Sequence, residues 1–517
     1  MSRDSSDSSP SAGATRSTRV RFAGPDEKPD VPAGAPAPAS TMAPLMAGYH
    51  PLELRWRARD GVTIASEGED ALAVTVDHDA RVVLRPGSAA LTAALAGFAA
   101  APGRTEDELV AAAGSGVVAG ARAHHALARF VGNGLIVADV VGEGGVRLAT
   151  LVPRRRDFAV QPPTPAGEAV LPRFALLRRE GDDLLLACPG AACELLLHGD
   201  GPAAWFAVAA RPVPTGGDDE RGALLRLARA HGLLEPAGLE ESPARASWEF
   251  HDRLFHQVAR SHEDLLARGG TFRFHGAFPS PPAVRPPHPG EDVPLPPISS
   301  VRSDPLETVM ERRRSARDMA DAPVSLAAVS ELLWRVGRTI ETVTVGPQET
   351  IRRPYPSGGS LHELELYLAV GAVAGLPPGF FHYRGGEHRL TRLPGADAEA
   401  HAMLESTAVS WGQAGRPPQV TVVIATRLPR LAWKYSAIAY KVSLLNAGVL
   451  LGTLALVTTD LGLAGAPVGS GDPGLFARAT GCDPLEETSI AEFGFGAPAA
   501  EPHLGPAERD AGGARRR

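Results

Sequence analysis

The chain has 517 residues, 44 % of them hydrophobic and 21 % charged, with a formal net charge of -7. That length and apolar content suit a soluble protein of two to four domains, and the mild charge excludes a general electrostatic hold on nucleic acid or an anionic membrane. Three cysteines, Cys188, Cys193 and Cys482, exclude a fully paired disulfide framework and fit a reducing, cytoplasmic setting.

Residues 1–44 are rich in Ser, Pro, Ala and Gly and poor in large apolar residues, which predicts a disordered tail; no apolar run follows the first charges, so no export signal is expected. From 45 to 250 a pattern occurs twice, starting at LELRWRARDGVTIASEGEDALAVTVD and at FALLRREGDDLLLACPGAACELLLHG. Each copy is strand-like and punctuated by turns, then continues into a helical stretch closed by Gly132 or Gly232 as a C-cap. The reading is two small winged-helix-like modules, 45–150 and 170–250. Neither copy shows a basic recognition stripe, so a peptide or protein partner is expected rather than DNA.

A connecting helix and a Pro-rich linker are expected over 251–300, because the prolines of GAFPSPPAVRPPHPGEDVPLPPISS forbid a continuous helix or central strand. The next domain, 301–498, opens with a helix capped by Ser303 or Asp304, whose apolar stripe is Leu306, Val309 and Met310. A second helix starts at Ser325 and buries Leu326, Val329, Leu332, Leu333 and Val336. Two strands, LELYLAVG and QVTVVIAT, precede a long apolar helix from Val442 to Thr459. That helix is long enough for a short membrane span, but its Ser, Asn and Thr residues and the lack of aromatic or basic flanks favour a buried central helix. The mixture reads as α+β, and the tail from 499 to 517 is again expected to be disordered.

Three segments of this domain have the chemistry of a ligand site. Arg313, Arg314, Ser315 and Arg317 combine forked cationic donors with a hydroxyl, which suits a phosphate, the alternative being a solvated helix end whose carbonyl dipole favours cations. Pro356, Ser357 and Gly358 form a flexible turn before a strand, where glycine lets backbone approach a ligand closely. A glycine-rich loop containing Gly469 and Ser470 follows the long helix. No Walker or dinucleotide fingerprint is present, and His251, His256, His262 and the cysteine pair lack metal-ligand spacing, so no metal is expected.

Through RRSAR, PSGGSLHELELY, WKYSAIAYKVSLLNAG and GSGDPGLFARATGCDPLEETSIAEFGFG, residues 300–497 resemble the flavin-dependent nitroreductase superfamily. They look most like its SagB-type branch, the azoline dehydrogenases that form thiazoles and oxazoles in ribosomal peptides; upstream, WEFHDRLFHQVARSHEDLLARGGTFRFHG resembles the segment preceding that domain. The resemblance implies a C-terminal FMN-dependent nitroreductase-like domain after the two modules. It implies FMN phosphate and ribityl contacts from Arg313, Arg314, Ser315 and Arg317, and ring contacts near Gly469 and Ser470. Pro356, Ser357 and Gly358 would reach the flavin from the other subunit of a homodimer, with FMN at the interface. Lys434 and Tyr435 match a catalytic Lys-Tyr pair, one of which takes the proton while the flavin takes the hydride.

Tyr435 is the preferred base with Lys434 assisting, the exchange of roles staying open. Neighbours on a helix point roughly 100° apart, so the two are expected to flank a substrate rather than aim at one atom. His362 and Glu363 depart from the branch's usual Tyr-Pro. The implied partners are an azoline-bearing precursor peptide and a YcaO-type cyclodehydratase that supplies the azolines, and O2 reoxidises the flavin. An NAD(P)H-dependent nitro or quinone reductase and a non-catalytic scaffold of the peptide-modifying complex are the alternatives.

Overall fold

The computed structural model describes residues 46–499 apart from 47, 77–79, 240, 261–264, 266–267 and 299. Both expected tails, bar residue 499, and His262 lie outside the described residues. The chain divides into two units at 266/267, inside the segment that the sequence reads as connector.

In the first unit, β1 (Glu53–Ala58) is followed by an antiparallel three-stranded sheet of β2 (Val62–Ser66), β3 (Leu72–Val76) and β4 (Ala80–Leu84). Helices α1 (Ala89–Ala96), α2 (Glu106–Ala113) and α3 (Val117–Gly132) lead into the hairpin of β5 (Ile136–Val141) and β6 (Arg147–Pro153). The second copy supplies β7 (Leu176–Glu180), β8 (Asp183–Ala187), β9 (Cys193–Leu197), α4 (Asp200–Ala207) and α5 (Glu220–Ala230). The two copies meet in one antiparallel sheet of order β1-β5-β6-β9-β8-β7 and share one core. Gly132 does not cap α3; the helix runs through it to Asn133, and the left-handed residue is Gly134, with φ 66°. Gly232, with φ 74°, does follow the last helical turn of α5, as a C-terminal glycine should. Helix α6 (Phe250–Arg260) ends this unit's regular structure.

Near the start of the second unit, the proline-rich run is not a free linker. Its strand β10 (Glu291–Pro294) joins the edge of the domain sheet beside a later strand, Arg389–Arg392. Prolines lack N–H donors, but their carbonyls remain acceptors, and buried arginines use them. Arg427 donates to Pro282 O at 2.9 Å, Arg430 to Pro281 O at 2.9 Å, and Arg285 pairs with Glu487 at 2.7 Å.

Helix α7 (Leu306–Arg312) starts without a side-chain cap. Asp304 instead pairs with Arg312, and only Val309 of the expected stripe is buried. Helix α8 (Leu326–Gly337) is capped by Ser325, whose hydroxyl accepts from Ala328 N, and it buries Val329, Leu332, Leu333 and Val336 as its spacing requires. The sheet is then built from β11 (Leu364–Val370), β12 (Gly379–Arg384), β13 (Arg389–Arg392) and β14 (Val420–Thr426). Helices α9 (Asp397–Ser410), α10 (Leu428–Lys434) and α11 (Ala439–Asp460) intervene or follow, and β15 (Ala464–Val468), α12 (Pro473–Thr480) and β16 (Thr488–Gly496) complete the unit.

The seven strands run antiparallel in the order β10-β13-β12-β11-β14-β16-β15. Side chains alternate between faces of a strand. Leu364, Leu366 and Leu368 of β11 therefore enter the core with α8 and α11, whereas Tyr367 and Ala369 enter the core with α9 and α12. Helices cover both faces, which is why β11 and β14 are apolar with so little interruption.

Helix α11 is longer than the apolar run suggested and is not buried all round. Ser443, Asn446, Ala447, Leu450, Leu454 and Thr458 form its buried stripe, while Tyr440, Leu444, Leu445 and Val449 are exposed. Its length and apolarity would suffice to cross a membrane by composition alone, yet its polar Ser443, Asn446 and Thr458 lie on the buried side.

Arg430, 0 % exposed, holds the proline run, the 356–362 turn and residue 349 together through Pro281 O, Leu361 O and Glu349 O. Arg430→Met leaves these acceptors without that donor, at about 1–3 kcal/mol each. Denaturant unfolding should lose about 3 kcal/mol or more, and limited proteolysis should open the 276–288 segment first.

Candidate active site

The arginine segment leaves α7 in extended form, with Arg313 at φ -57° and ψ 124°. Ala316 N donates to Gly465 O at 3.2 Å, which lays the segment along β15. Gln419 holds its far end: Nε2 donates to Ala320 O and Ala322 O, both at 2.8 Å, and Oε1 accepts from Val324 N and Ala497 N. Two carboxylates near α7 are already engaged, Asp304 by Arg312 and Asp460 by Arg335. Arg313, Arg314, Ser315 and Arg317 are exposed and, among the described residues, have no side-chain hydrogen bond or ion pair. Three forked cations and a hydroxyl within five residues form a donor set that fits a phosphate dianion.

The 356–362 turn has a tight backbone. Gly359, Ser360 and His362 have φ of 64°, 55° and 45°, a region costly for residues with a Cβ. What holds the turn is Asn446 of α11. Its Oδ1 accepts from Gly358 N at 3.0 Å, and its Nδ2 donates to Ser357 Oγ at 3.0 Å and to both Glu363 oxygens at 3.0 and 3.1 Å. The amide orientation follows from these partners, since only Oδ1 can face an N–H and only Nδ2 a carboxylate. Glu363 is fully buried, and burial raises its pKa.

Lys434 is the last residue of α10, and Tyr435 is already extended, with φ -106° and ψ 128°. Tyr435 pairs with Gly270, Phe272 N donates to Lys434 O at 3.0 Å, and the Thr271 and Ser436 hydroxyls bond at 2.6 Å. The helix ends between the two side chains, so the expected divergence of helical neighbours does not occur. Both reach over Gly359: a Cβ placed there would collide with the Tyr435 hydroxyl and lie 2.9 Å from Lys434 Nζ. Lys434 Nζ also stands 5.2 Å from the Tyr435 ring centroid and 5.7 Å from that of Phe272.

Burial moves the pair in opposite directions. It lowers the pKa of Lys434, because a cation loses solvation, and raises that of Tyr435, which the Glu363 charge raises further. Burial thus favours the uncharged amine of Lys434 and the un-ionised phenol of Tyr435.

Gly469 and Ser470, at the end of β15, are exposed, and a Cβ on Gly469 would meet open space. Two residues on, Gly471 packs against the Glu492 carboxylate, whose pKa burial and then Asp472 push up to about 7. From Gly465 beside Ala316 to Gly469 is four strand residues, about 13 Å.

The structure therefore gathers the predicted residues into two groups. Ser357 and Gly358 lie with Lys434 and Tyr435 at the Asn446 level of α11; the arginine segment lies beside the start of β15, at the Thr458 level, where Gly465 packs, and Gly469 and Ser470 follow the far end of that strand. The levels are twelve residues apart, about 18 Å of helix. Among the described residues no hydrogen bond or ion pair joins the groups within one chain. Asn446, Glu363 and the 269–272 segment are site residues that motif reading did not select.

Gly359→Ala should displace the Tyr435 hydroxyl and cost about 1 kcal/mol or more, since alanine disfavours positive φ. A spectrophotometric titration of tyrosine should then show a phenol ionising at lower pH than in the unmodified protein.

A Nitroreductase family model matches residues 310–496. The trifolitoxin-processing protein TfxB of Rhizobium leguminosarum bv. trifolii is 26 % identical over 173 residues, 33 % of this chain and 46 % of that protein. The match thus spans just under half the length of TfxB. MJ1384 of Methanocaldococcus jannaschii, whose name places it among nitroreductases, is 25 % identical over 179 residues, 35 % of this chain and 84 % of that protein. Among solved structures, a chain of the E. coli microcin synthetase McbBCD complex with truncated pro-MccB17 bound is 18 % identical, with a TM-score of 0.31 over 40 % of this chain and 77 % of that one. Residues 310–496, which hold the arginine segment, the 356–362 turn and the Lys434-Tyr435 pair, form a nitroreductase-family domain.

Proposed function

We propose that this chain is an FMN-dependent dehydrogenase that oxidises thiazolines or oxazolines in a ribosomal peptide to azoles. The observation that carries the reading is the convergence of Lys434 Nζ and Tyr435 Oη over Gly359, a proton acceptor and a proton holder side by side in a nitroreductase-family domain. The relation to TfxB, a protein named for processing a peptide toxin, supports a peptide substrate.

In this reading Arg313, Arg314, Ser315 and Arg317 hold the FMN phosphate and ribityl chain, and Gly469 and Ser470 lie where the ring binds. Bound there, FMN supplies the acceptor for the hydride that an azoline must lose. Lys434, whose charge burial disfavours, takes the accompanying proton at Nζ. Tyr435 retains its proton at Oη and donates a hydrogen bond beside the reacting ring. The electrons pass finally to O2, which is reduced to hydrogen peroxide.

A homodimer fits the same features. The exposed apolar residues Leu306 and Met310 of α7 and Leu444, Leu445 and Val449 of α11 offer a surface for a second copy. That copy would bring Pro356, Ser357 and Gly358 of one chain to the arginine segment of the other, closing the gap between the two groups. A YcaO-type cyclodehydratase is the partner class that supplies azolines, and a cytoplasmic setting suits such a complex.

Lys434→Met should slow azole formation by about 10²–10⁴-fold, read by mass spectrometry as loss of two hydrogens per ring. In the unmodified enzyme the rate should rise with pH as Lys434 loses its proton, with a midpoint below the roughly 10.4 of free lysine. Tyr435→Phe should keep that pH limb and lose rate; an unchanged rate in both variants would remove the assignment.

Replacing Arg313 and Arg317 singly by Ala should weaken FMN binding by about 10–100-fold, since hydrogen bonds to charged groups contribute about 1.5–3 kcal/mol. Titration of FMN fluorescence measures it.

A further inference from the structure

Beside the glycine loop that follows β15 lies a small polar cavity that the proposed chemistry leaves unused. Its position follows from the ladder between β14 and β16. Val423 and Ala425 of β14 face the core shared with α9 and α12, and their partners on β16 are Glu492 and Ser489. Residues three apart on a regular strand face opposite ways. A bulge between these two pairs inserts an extra residue, so both side chains reach the same layer. There they meet Ser406 of α9 and the Ser470-Gly471-Asp472 stretch that leads into α12.

The cavity has a volume of about 10 Å³, room for one sphere the size of a water molecule. Its polar lining is the Glu492 carboxylate, the hydroxyls of Ser406, Ser470 and Ser489, and Asp472. Glu492 is only 9 % exposed, and among the described residues its carboxylate accepts no hydrogen bond. The three serine hydroxyls make none either. Gly471 brings backbone against the same carboxylate, where a Cβ would collide with it. Asp472 is committed in part, its Oδ1 accepting from Gly474 N at 2.8 Å and from Leu475 N at 3.2 Å. No lysine, arginine or histidine lines the space.

An ionised carboxylate buried without a partner destabilises a fold, so its presence calls for a counterpart. A water molecule in the cavity would donate hydrogen bonds but supply no countercharge, and a second carboxylate stands beside the first. Oxygen donors of this kind suit a hard cation. Magnesium keeps several of its waters, which the space does not admit, and the one buried carboxylate balances a single positive charge.

We infer that the cavity binds one unhydrated monovalent cation close to water in size, as potassium is, between the Glu492 carboxylate and the serine hydroxyls. The ion ties β16 to the start of α12 and steadies the 469–472 loop. This inference stands without the proposed function, because neither flavin nor peptide enters the cavity.

The test uses the full chain at mildly alkaline pH in tetramethylammonium chloride, replaced stepwise by potassium chloride at constant ionic strength. Hydrogen-deuterium exchange is followed by mass spectrometry in peptides covering 469–480. Exchange there should slow saturably, by about fivefold or more, as potassium enters, while peptides of the first unit do not respond. Lithium, which is smaller, should protect less. Glu492→Gln removes the charge and keeps the shape, and it should abolish the response. Ser489→Ala removes one hydroxyl and should weaken it, with an unchanged circular dichroism spectrum. Equal exchange in potassium and tetramethylammonium would overturn the inference, as would a response that survives both substitutions undiminished. Protection by magnesium or calcium but not by potassium would overturn it by making the site divalent. Protection on acidification that no cation reproduces would also overturn it, by making a proton on Glu492 the occupant.

Discussion

The site depends on how the burial of Glu363 is satisfied. A carboxylate with no exposed surface must find hydrogen-bond donors or destabilise the fold. Here the main donor is Asn446, which faces both oxygens from the middle of an apolar helix and also bonds Ser357 and Gly358, with the Ser357 hydroxyl donating to Glu363 as well. One amide thus fixes α11, the start of β11 and the 356–362 turn in a common frame. Within that frame Gly359 lies under Lys434 and Tyr435, and the Glu363 charge helps to keep the phenol protonated.

A second constraint is the allocation of charge around the arginine segment. Asp304 and Asp460 are taken by Arg312 and Arg335, and among the described residues Arg313, Arg314 and Arg317 make no ion pair. Permanently charged guanidiniums held beside β15, without internal partners among the described residues, form a donor set that suits an anion. In the proposed function the substrate chemistry lies at the other end of α11, and a second copy seated on the exposed apolar faces of α7 and α11 would bring the two ends together.

Much of this domain was legible in the sequence because its signals are local. Ser325 and the spacing of Val329, Leu332, Leu333 and Val336 mark α8 without any tertiary knowledge, and the apolar runs at β11 and β14 mark strands buried on both faces. The arginine segment stood out by composition. What stayed hidden was set by distant partners. The proline run reads as a linker until Arg427 and Arg430 supply donors for its carbonyls, and no Gly or Pro signals that α10 stops at Lys434, because pairing with Gly270 extends Tyr435. Asn446 was visible only as a polar residue in an apolar helix, and Glu363 only as a departure from relatives. Neither signal names a role until the fold sets the two side by side.

The most direct measurement of the central claim is the visible spectrum of the purified protein, held without oxygen, while an azoline-bearing peptide is added. The account expects a bound flavin spectrum that bleaches on addition of the peptide and returns when O2 is admitted. A flavin that bleaches with NAD(P)H but not with the peptide would make the chain a reductase on the same fold. A protein that neither carries FMN nor takes it up would leave the arginine segment with another ligand and contradict the account.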